Sequence, residues 1–513
     1  MKIKIFVLAL IFCFSLTLRM STLNQIGRTW DEAHFIEEGY KMVELFRNGD
    51  FSNSFFYTSY DHPPLIKYIF GSTSYLDLNE DRLGKQPLFN YDYTYSRTLS
   101  AIFFSIGVVV TVLLGWRLFS PLVGIVSGVI LSMLPFSLGL SQLVSTEGLK
   151  IFIYPIAIYS ILRLVEKFTL KKVLITGVII GIALQIKQSN GLLFLISIGM
   201  FIIHYRTLNV KQKIGYIKSR LIGFLIIILV SIVTFISFWP HLLFNFLKVY
   251  EIHNKFWGLE FTAKPWLITM SVPEVFLGSL VMTPNFYYFV YFFISIPVLI
   301  LILFFFGVKN IFDSKKWQLY ILIIWFSAPF VLSFYSWRQH GLRYLIEIYP
   351  AIALISAIGF DTLTSKFTSS FYKKVLILIP IMIYLFFILA NIRPYYLDYY
   401  NEFVGGTGNV YRANLFQIGW WGQGLREAGQ YVAKNSEKGS TVGLAISPEH
   451  VLFRSDELIY TKWEEGKTYD YIIVNHYHII RDGFDDKIIR DNYKLVYNVK
   501  ADGATLVYIY KNE

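Results

Sequence analysis

A single cysteine, Cys13, occurs in 513 residues, so the chain can form neither an internal disulfide nor a thiolate metal cluster. Charge is also scarce: Asp, Glu, Lys and Arg make up 16% of the residues, against roughly 25% in ordinary soluble domains. There is no HExxH pair, P-loop or dinucleotide fingerprint. The GGTG at 405–408 lacks the Lys and Ser or Thr that would hold a triphosphate, and reads as a flexible turn. No Asn-x-Ser/Thr sequon occurs, which fits a prokaryotic chain. Fixed-period repeats, low-complexity tracts and long flexible linkers are absent too.

What remains is apolar. Hydrophobic residues make up 55% and aromatic residues 18% of the chain, and the mean hydropathy is +0.49. This is the composition of an α-helical polytopic membrane protein. Apolar stretches of near-spanning length fall at about 4–20, 96–118, 121–140, 147–165, 172–187, 190–205, 217–239, 286–307, 317–336, 343–362 and 373–391, which predicts about eleven helices. The first run reads as a retained anchor; the alternative, a cleaved signal peptide, lacks a small-residue cleavage site. The formal charge of +12 comes from Lys and Arg in the short gaps between apolar runs, so it sets orientation and gives no footprint for nucleic acid. With the amino terminus cytoplasmic, every strongly basic short loop lies on that side, and residues 21–95, 241–285 and 392–513 lie outside the cell membrane.

Two domains are expected: a membrane domain over 1–394, and an extracytoplasmic α/β domain over 395–513. In the second, a helix-like GQGLREAGQYVAKN precedes short alternating segments, STVGLAISP, YDYIIVNHYH, YKLVYNV and ATLVYIYK. The tail is expected to pack against the membrane domain. His476 and His478 would share a strand face, as a surface pair and not as a metal site.

The charges that remain in the first outer loop are not scattered. Over residues 31–47, Phe35, Met42, Val43 and Phe46 share one helical face and Asp31, His34 and Glu38 another, as in a helix lying along the interface. Solvated charges on an amphipathic helix would look the same. In DHPPLIKY, Asp61 can cap a second helix that opens with Pro63 and Pro64, and this helix carries His62 and Lys67 to the same side. Further ionisable residues sit at helix mouths on that leaflet: Arg97, Glu147 with Lys150, Lys187 beside Asn190, and Arg338 and Arg343 in WRQHGLRYLIEIYP. Singly, such residues are interfacial anchors; together they outline a wet cavity holding carboxylates and cations.

That combination suits sugar transfer from a phosphate-linked carrier. A carboxylate takes the acceptor's proton, and cations stabilise charge on the departing phosphate, which needs no general acid. A lipid carrier would keep its phosphate at headgroup level, where these residues lie.

The motif DEAHF, followed by FFYTSYD and HPPLIK, resembles the first outer loop of the protein O-mannosyltransferases and their prokaryotic relatives within the GT-C superfamily. YSRTLSA, STEGLKIF, KQSNGLL, GLRYLIEIYPAIAL, YYNEFVGG and GWWGQGLREA extend the resemblance. It implies the GT-C fold, an inverting transferase and a dolichyl- or undecaprenyl-phosphate sugar donor. It also implies Asp31 as the base, Glu32 positioning substrate and Glu147 as the second acidic position. His34, His62, Lys67, Arg97, Lys187 and Arg343 or Arg338 would surround the carrier phosphate, and Asp61 matches an acid that lies near a metal in the aminoarabinose transferases. These residues can act either without a metal or with a divalent ion held by Asp31, Asp61 and His62. The eukaryotic members carry a large insertion where this chain has about 45 residues, 241–285, so the acceptor is a lipid, glycan or protein of the broader prokaryotic branch. The rival readings are a secondary transporter, which would hold its charge near the midplane of duplicated halves, and a non-catalytic scaffold with an outer sensing domain.

Overall fold

The computed structural model describes residues 2–58, 62–77, 93–239, 241–248, 251, 272–334 and 338–513. Asp61 lies outside the described residues, as does part of the FFYTSYD stretch.

Among the described residues, seven helices are long and apolar enough to cross a membrane: Lys2–Met20, Thr94–Leu118, Thr146–Glu166, Gln188–Arg206, Val210–Ser237, Arg343–Thr364 and Phe371–Ile392. Two bent pairs raise the number to nine. Both bends were expected as straight spans, and both occur at proline. Pro121–Met133 meets Pro135–Ser141 at 69°, and Tyr287–Ser295 meets Val298–Ser314 at 112°. The residues before Pro135 and Pro297, Leu134 and Ile296, are pushed to extended backbone because the proline ring excludes the helical region there. The two remaining apolar stretches are also helical but shorter, Leu170–Ile186 and Trp317–Ser333. The chain is therefore a multi-pass membrane protein of helical construction.

Two further helices, Trp30–Arg47 and Leu65–Asp77, lie between the first two spans in sequence. They touch at glycine: a Cβ on Gly39 would come within 2.4 Å of the Lys67 carbonyl oxygen, and one on Gly71 within 2.4 Å of that of Gly39. This close backbone approach helps bring the acidic face of the first helix beside Lys67. Phe35 and Met42 are buried and Asp31, His34 and Glu38 half-exposed, as the helical spacing predicts, although Phe46 is exposed.

The carboxy-terminal region forms a five-stranded sheet of β3 Thr441–Ala445, β4 Ile459–Lys462, β5 Tyr471–Asn475, β6 Lys494–Ala501 and β7 Ala504–Lys511, in the order β4-β3-β5-β7-β6. β3 pairs in parallel with β4 and β5, while β7 is antiparallel to β5 and β6. Helix Leu425–Asn435 buries Leu425, Ala428, Gly429 and Val432, the i, i+3, i+4, i+7 stripe of an amphipathic helix. His476 opens a helix, His476–Asp482, so the two histidines do not share a strand face. A hairpin, β1 Pro273–Phe276 with β2 Ser279–Met282, connects the two regions: Gly278 donates its N–H to the Leu415 carbonyl at 3.0 Å. Asn401 adds a clamp, donating its side-chain amide to the Phe293 and Ile296 carbonyls at 2.6 Å each.

Candidate active site

Four elements bring two acids and two cations together. Asp31 stands in the first turn of the 30–47 helix, Glu147 in the first turn of the 146–166 helix, Lys187 just past the end of the 170–186 helix, and Arg343 at the head of the 343–364 span. Arg343 Nη2 is paired with Asp31 Oδ2, and Arg343 Nε lies 3.5 Å from Glu147 Oε1. The same Glu147 oxygen takes Lys187 Nζ at 2.8 Å. Ser145 starts the 146–166 helix by accepting the Gly148 N–H, which fixes where Glu147 begins. Glu147 is buried, whereas the Asp31 side chain remains 27% exposed and so is the member of the cluster most open to an incoming group.

Aromatic rings hold the cations in place. The Arg343 guanidinium lies 4.1 Å from the Trp421 ring, and Lys187 Nζ lies 4.7 Å from that of Tyr344. Behind them Lys150 Nζ meets Glu347 Oε2 at 2.9 Å. Trp421, Tyr344 and Glu347 were not singled out from sequence. Trp421 did lie within the GWWGQG stretch, whose Gly419, Gly422 and Gly424 all adopt positive φ, so the loop can turn its tryptophans back toward the membrane domain.

A second layer supports the Arg343 turn. His340 (φ +56°) and Gly341 (φ +62°) are left-handed, and the His340 ring stacks on Trp420 at 4.2 Å. Their backbone N–H groups are held by Glu274 Oε1 at 2.8 Å and by the Tyr287 hydroxyl at 2.9 Å; that hydroxyl in turn donates to Glu274 Oε2 at 2.5 Å. Burial pushes the Glu274 carboxyl up to about 7, the hydrogen bond from Tyr287 opposing the rise, and burial drives His340 well below the usual imidazole range. Neither residue was singled out from sequence: Glu274 stands on β1 away from every quoted motif, and His340 lay within WRQHGLRYLIEIYP beside the arginines that were.

Glu32 faces the other way. It accepts Arg97 Nε at 2.7 Å and Arg97 Nη2 at 2.6 Å, and the N–H groups of Thr29 and Val144 at 3.0 and 3.1 Å. Arg97 spends its remaining donors on the carbonyls of Leu23, Ile26 and Gly27. Both side chains are buried and engaged with each other. Farther along the helix, Glu38 bridges His34 Nδ1 at 3.1 Å and the buried Lys67 Nζ at 2.5 Å, and His62 stacks on Phe35 at 5.3 Å. Arg338, also buried, donates to the Thr283 and Phe334 carbonyls, so it is Arg343 that pairs with Asp31 and Glu147. Among the described residues, no three His, Cys, Asp or Glu side chains converge as a metal site.

Residues 86–233 match the family model described as dolichyl-phosphate-mannose-protein mannosyltransferase. That span contains Arg97, Glu147 and Lys187 but neither Asp31 nor Arg343. No curated protein matches the sequence. The chain is similar to ArnT from Cupriavidus metallidurans in its undecaprenyl phosphate-bound structure, at 12% identity and a TM-score of 0.50, covering 98% of this chain and 97% of that one. Similarity to the apo structure of the same protein is also 12% in identity over the same shares, with a TM-score of 0.51. A looser likeness, at 14% identity and a TM-score of 0.46, is to the oligosaccharyltransferase AglB from Archaeoglobus fulgidus, covering 99% of this chain and 74% of that one. The chain thus has the GT-C fold of the membrane glycosyltransferases, with a small sheet domain at its carboxy terminus.

Proposed function

We propose that the chain transfers a sugar from a polyprenyl-phosphate carrier to an acceptor hydroxyl on the extracytoplasmic face of the cell membrane. The observation that carries this reading is the Asp31–Arg343–Glu147–Lys187 cluster at the shared mouth of four elements. Asp31 removes the acceptor's proton; the freed oxygen attacks the anomeric carbon, and the bond to phosphate oxygen breaks on the opposite side, inverting the configuration. Arg343 and Lys187 hold the departing phosphate, which leaves as a monoester anion without being protonated.

Without donor, Arg343 holds Asp31 in an ion pair. A carrier phosphate would compete for Arg343 and Lys187, while Glu147 keeps both cations in the site. Asp31 is then released from the pair and can take the acceptor's proton. Glu32, with Arg97, becomes a positioning residue that fixes the turn bearing Asp31. Lys67, spent on Glu38, acts on the packing of the outer helices and not directly on phosphate. The ArnT fold, seen with undecaprenyl phosphate, supports a lipid-linked donor. Lipid, glycan and protein hydroxyls all fit the chemistry of the acceptor.

The test is to incubate purified protein with radiolabelled polyprenyl-phosphate sugars and hydroxyl acceptors and to follow the release of bare polyprenyl phosphate. Acceptor-dependent release supports the reading. Uptake into vesicles without carrier cleavage would instead identify a transporter.

A further inference from the structure

The membrane domain holds a second cation-and-grease arrangement at its opposite end. Helix Thr146–Glu166 starts at the site and ends away from it, Leu170–Ile186 returns, Leu192–Arg206 leaves again, and Val210–Ser237 returns. The 206–210 turn and the 167–169 turn therefore lie together, a membrane thickness from Glu147 and Lys187. There the 192–206 and 210–237 helices diverge around a groove of about 520 Å³, lined by Ile198, Phe201, Ile202, Ile217, Leu221 and Phe224. Its lining is almost wholly apolar, apart from the polar ends of Tyr205, Tyr216 and Arg220 at one end.

Arg220 lies in that polar end. Its guanidinium is sandwiched between Phe168 at 3.9 Å and Tyr216 at 4.3 Å, and its Nη1 donates to Ser219 Oγ at 3.1 Å. The Tyr216 side chain also hydrogen-bonds with the guanidinium, but among the described residues Nε itself is enclosed without a partner. Tyr216 is itself fixed, by donation to the Phe201 carbonyl at 3.1 Å and by His204 Nδ1 at 3.2 Å, which holds one of the two rings that flank the cation. Arg206, Lys211, Lys213 and Lys218 precede it in sequence, Lys213 seven residues back on the same helix face, and between Glu166 and Glu251 the sequence contains no Asp or Glu at all. A half-buried guanidinium whose Nε has no acceptor among the described residues, in a basic stretch of sequence without a carboxylate, calls for an anion, and the groove behind it calls for hydrocarbon.

We propose that this groove binds a diacyl phospholipid with an anionic headgroup, in the leaflet opposite the Asp31–Arg343 cluster. The phosphodiester would accept from Arg220 Nε, and one acyl chain would lie along Ile198, Ile202, Leu221 and Phe224. Charge complementarity sets this occupant apart from a neutral annular lipid, and a diacyl chain sets it apart from a free phosphate. The site does not depend on the transfer reaction, and its test uses no enzymatic readout.

The full chain, purified in mild detergent, is incubated with phosphatidylglycerol or with phosphatidylcholine of the same chains, and bound lipid is counted by native mass spectrometry. Phosphatidylcholine offers the same phosphodiester but carries a choline cation that the basic end of the groove repels, so the expected result is retention of phosphatidylglycerol over phosphatidylcholine by about tenfold, the order of one charged contact. Arg220→Ala should abolish that preference. Ile202→Trp, which fills the groove and leaves Arg220 in place, should expel the lipid even if Arg220→Ala does not fold. Equal retention of the two lipids, or full retention by Ile202→Trp, would overturn the proposal. Displacement by inorganic phosphate would reduce the site to an anion hole, and preferential displacement by undecaprenyl phosphate would hand the groove to the carrier's tail; either result overturns the phospholipid assignment.

Discussion

Asp31 and Glu32 are neighbours in one helical turn and carry the same functional group, yet about 100° of helical rotation gives them different surroundings. Glu32 points into the protein, where Arg97 and two backbone N–H groups occupy both of its oxygens. Asp31 points toward the mouth, shares Arg343 with Glu147 and keeps more than a quarter of its surface open. One pair is closed and has nothing left to give a substrate; the other is a set of charges that an incoming phosphate can rearrange. The contrast separates holding a site together from acting in it.

The closed pair should break most severely. Glu32→Ala leaves the buried Arg97 without its carboxylate, and we expect a loss of about 3–5 kcal/mol of stability, read by chemical or thermal unfolding in detergent. On the open side, Arg343→Ala should weaken binding of the carrier phosphate by about 1.5–3 kcal/mol and of the acceptor by much less, measured by equilibrium binding of each. Equal losses for donor and acceptor would erase the distinction between phosphate clamp and scaffold.

The Glu274 layer tests how far the open cluster depends on its support. Its folded-state value, about 7, lies above the ordinary 4.5. The stability it contributes is therefore complete below pH 4.5 and lost as pH rises through 7, with a slope of at most about 1.4 kcal/mol per pH unit. Glu274→Gln, neutral throughout, should flatten that part of the pH profile of unfolding. The smallest effect is expected from Trp421→Ala, which removes the ring under Arg343: about 1 kcal/mol in donor binding, with unfolding little changed.

Much of this was legible in the chain. Apolar runs of spanning length gave the helices, and the acids, histidines and cations at helix mouths gave the elements that meet at the site. Asp31, His34 and Glu38 were placed on one face by their spacing alone. Two features were hidden for physical reasons. Periodicity cannot tell a straight span from one broken at Pro135 or Pro297, because both halves are equally apolar. Nor does spacing say which of two adjacent acids turns inward: that is decided by Arg97, 65 residues away, and by Val144, 112 residues away. Glu274 reaches the site through the tertiary fold alone, so no local pattern marks it; Trp421 lay in the quoted GWWGQG stretch, but nothing local says that its ring would sit under Arg343.

The most direct test compares the carrier turnover of Asp31→Asn with that of the parent protein, alongside binding of the polyprenyl-phosphate sugar to each. Asparagine keeps the shape and cannot take a proton, so donor binding should persist while acceptor-dependent release of the carrier falls by about 10²- to 10⁴-fold. Unchanged release with Asn at position 31 would contradict the assignment of Asp31 as the base.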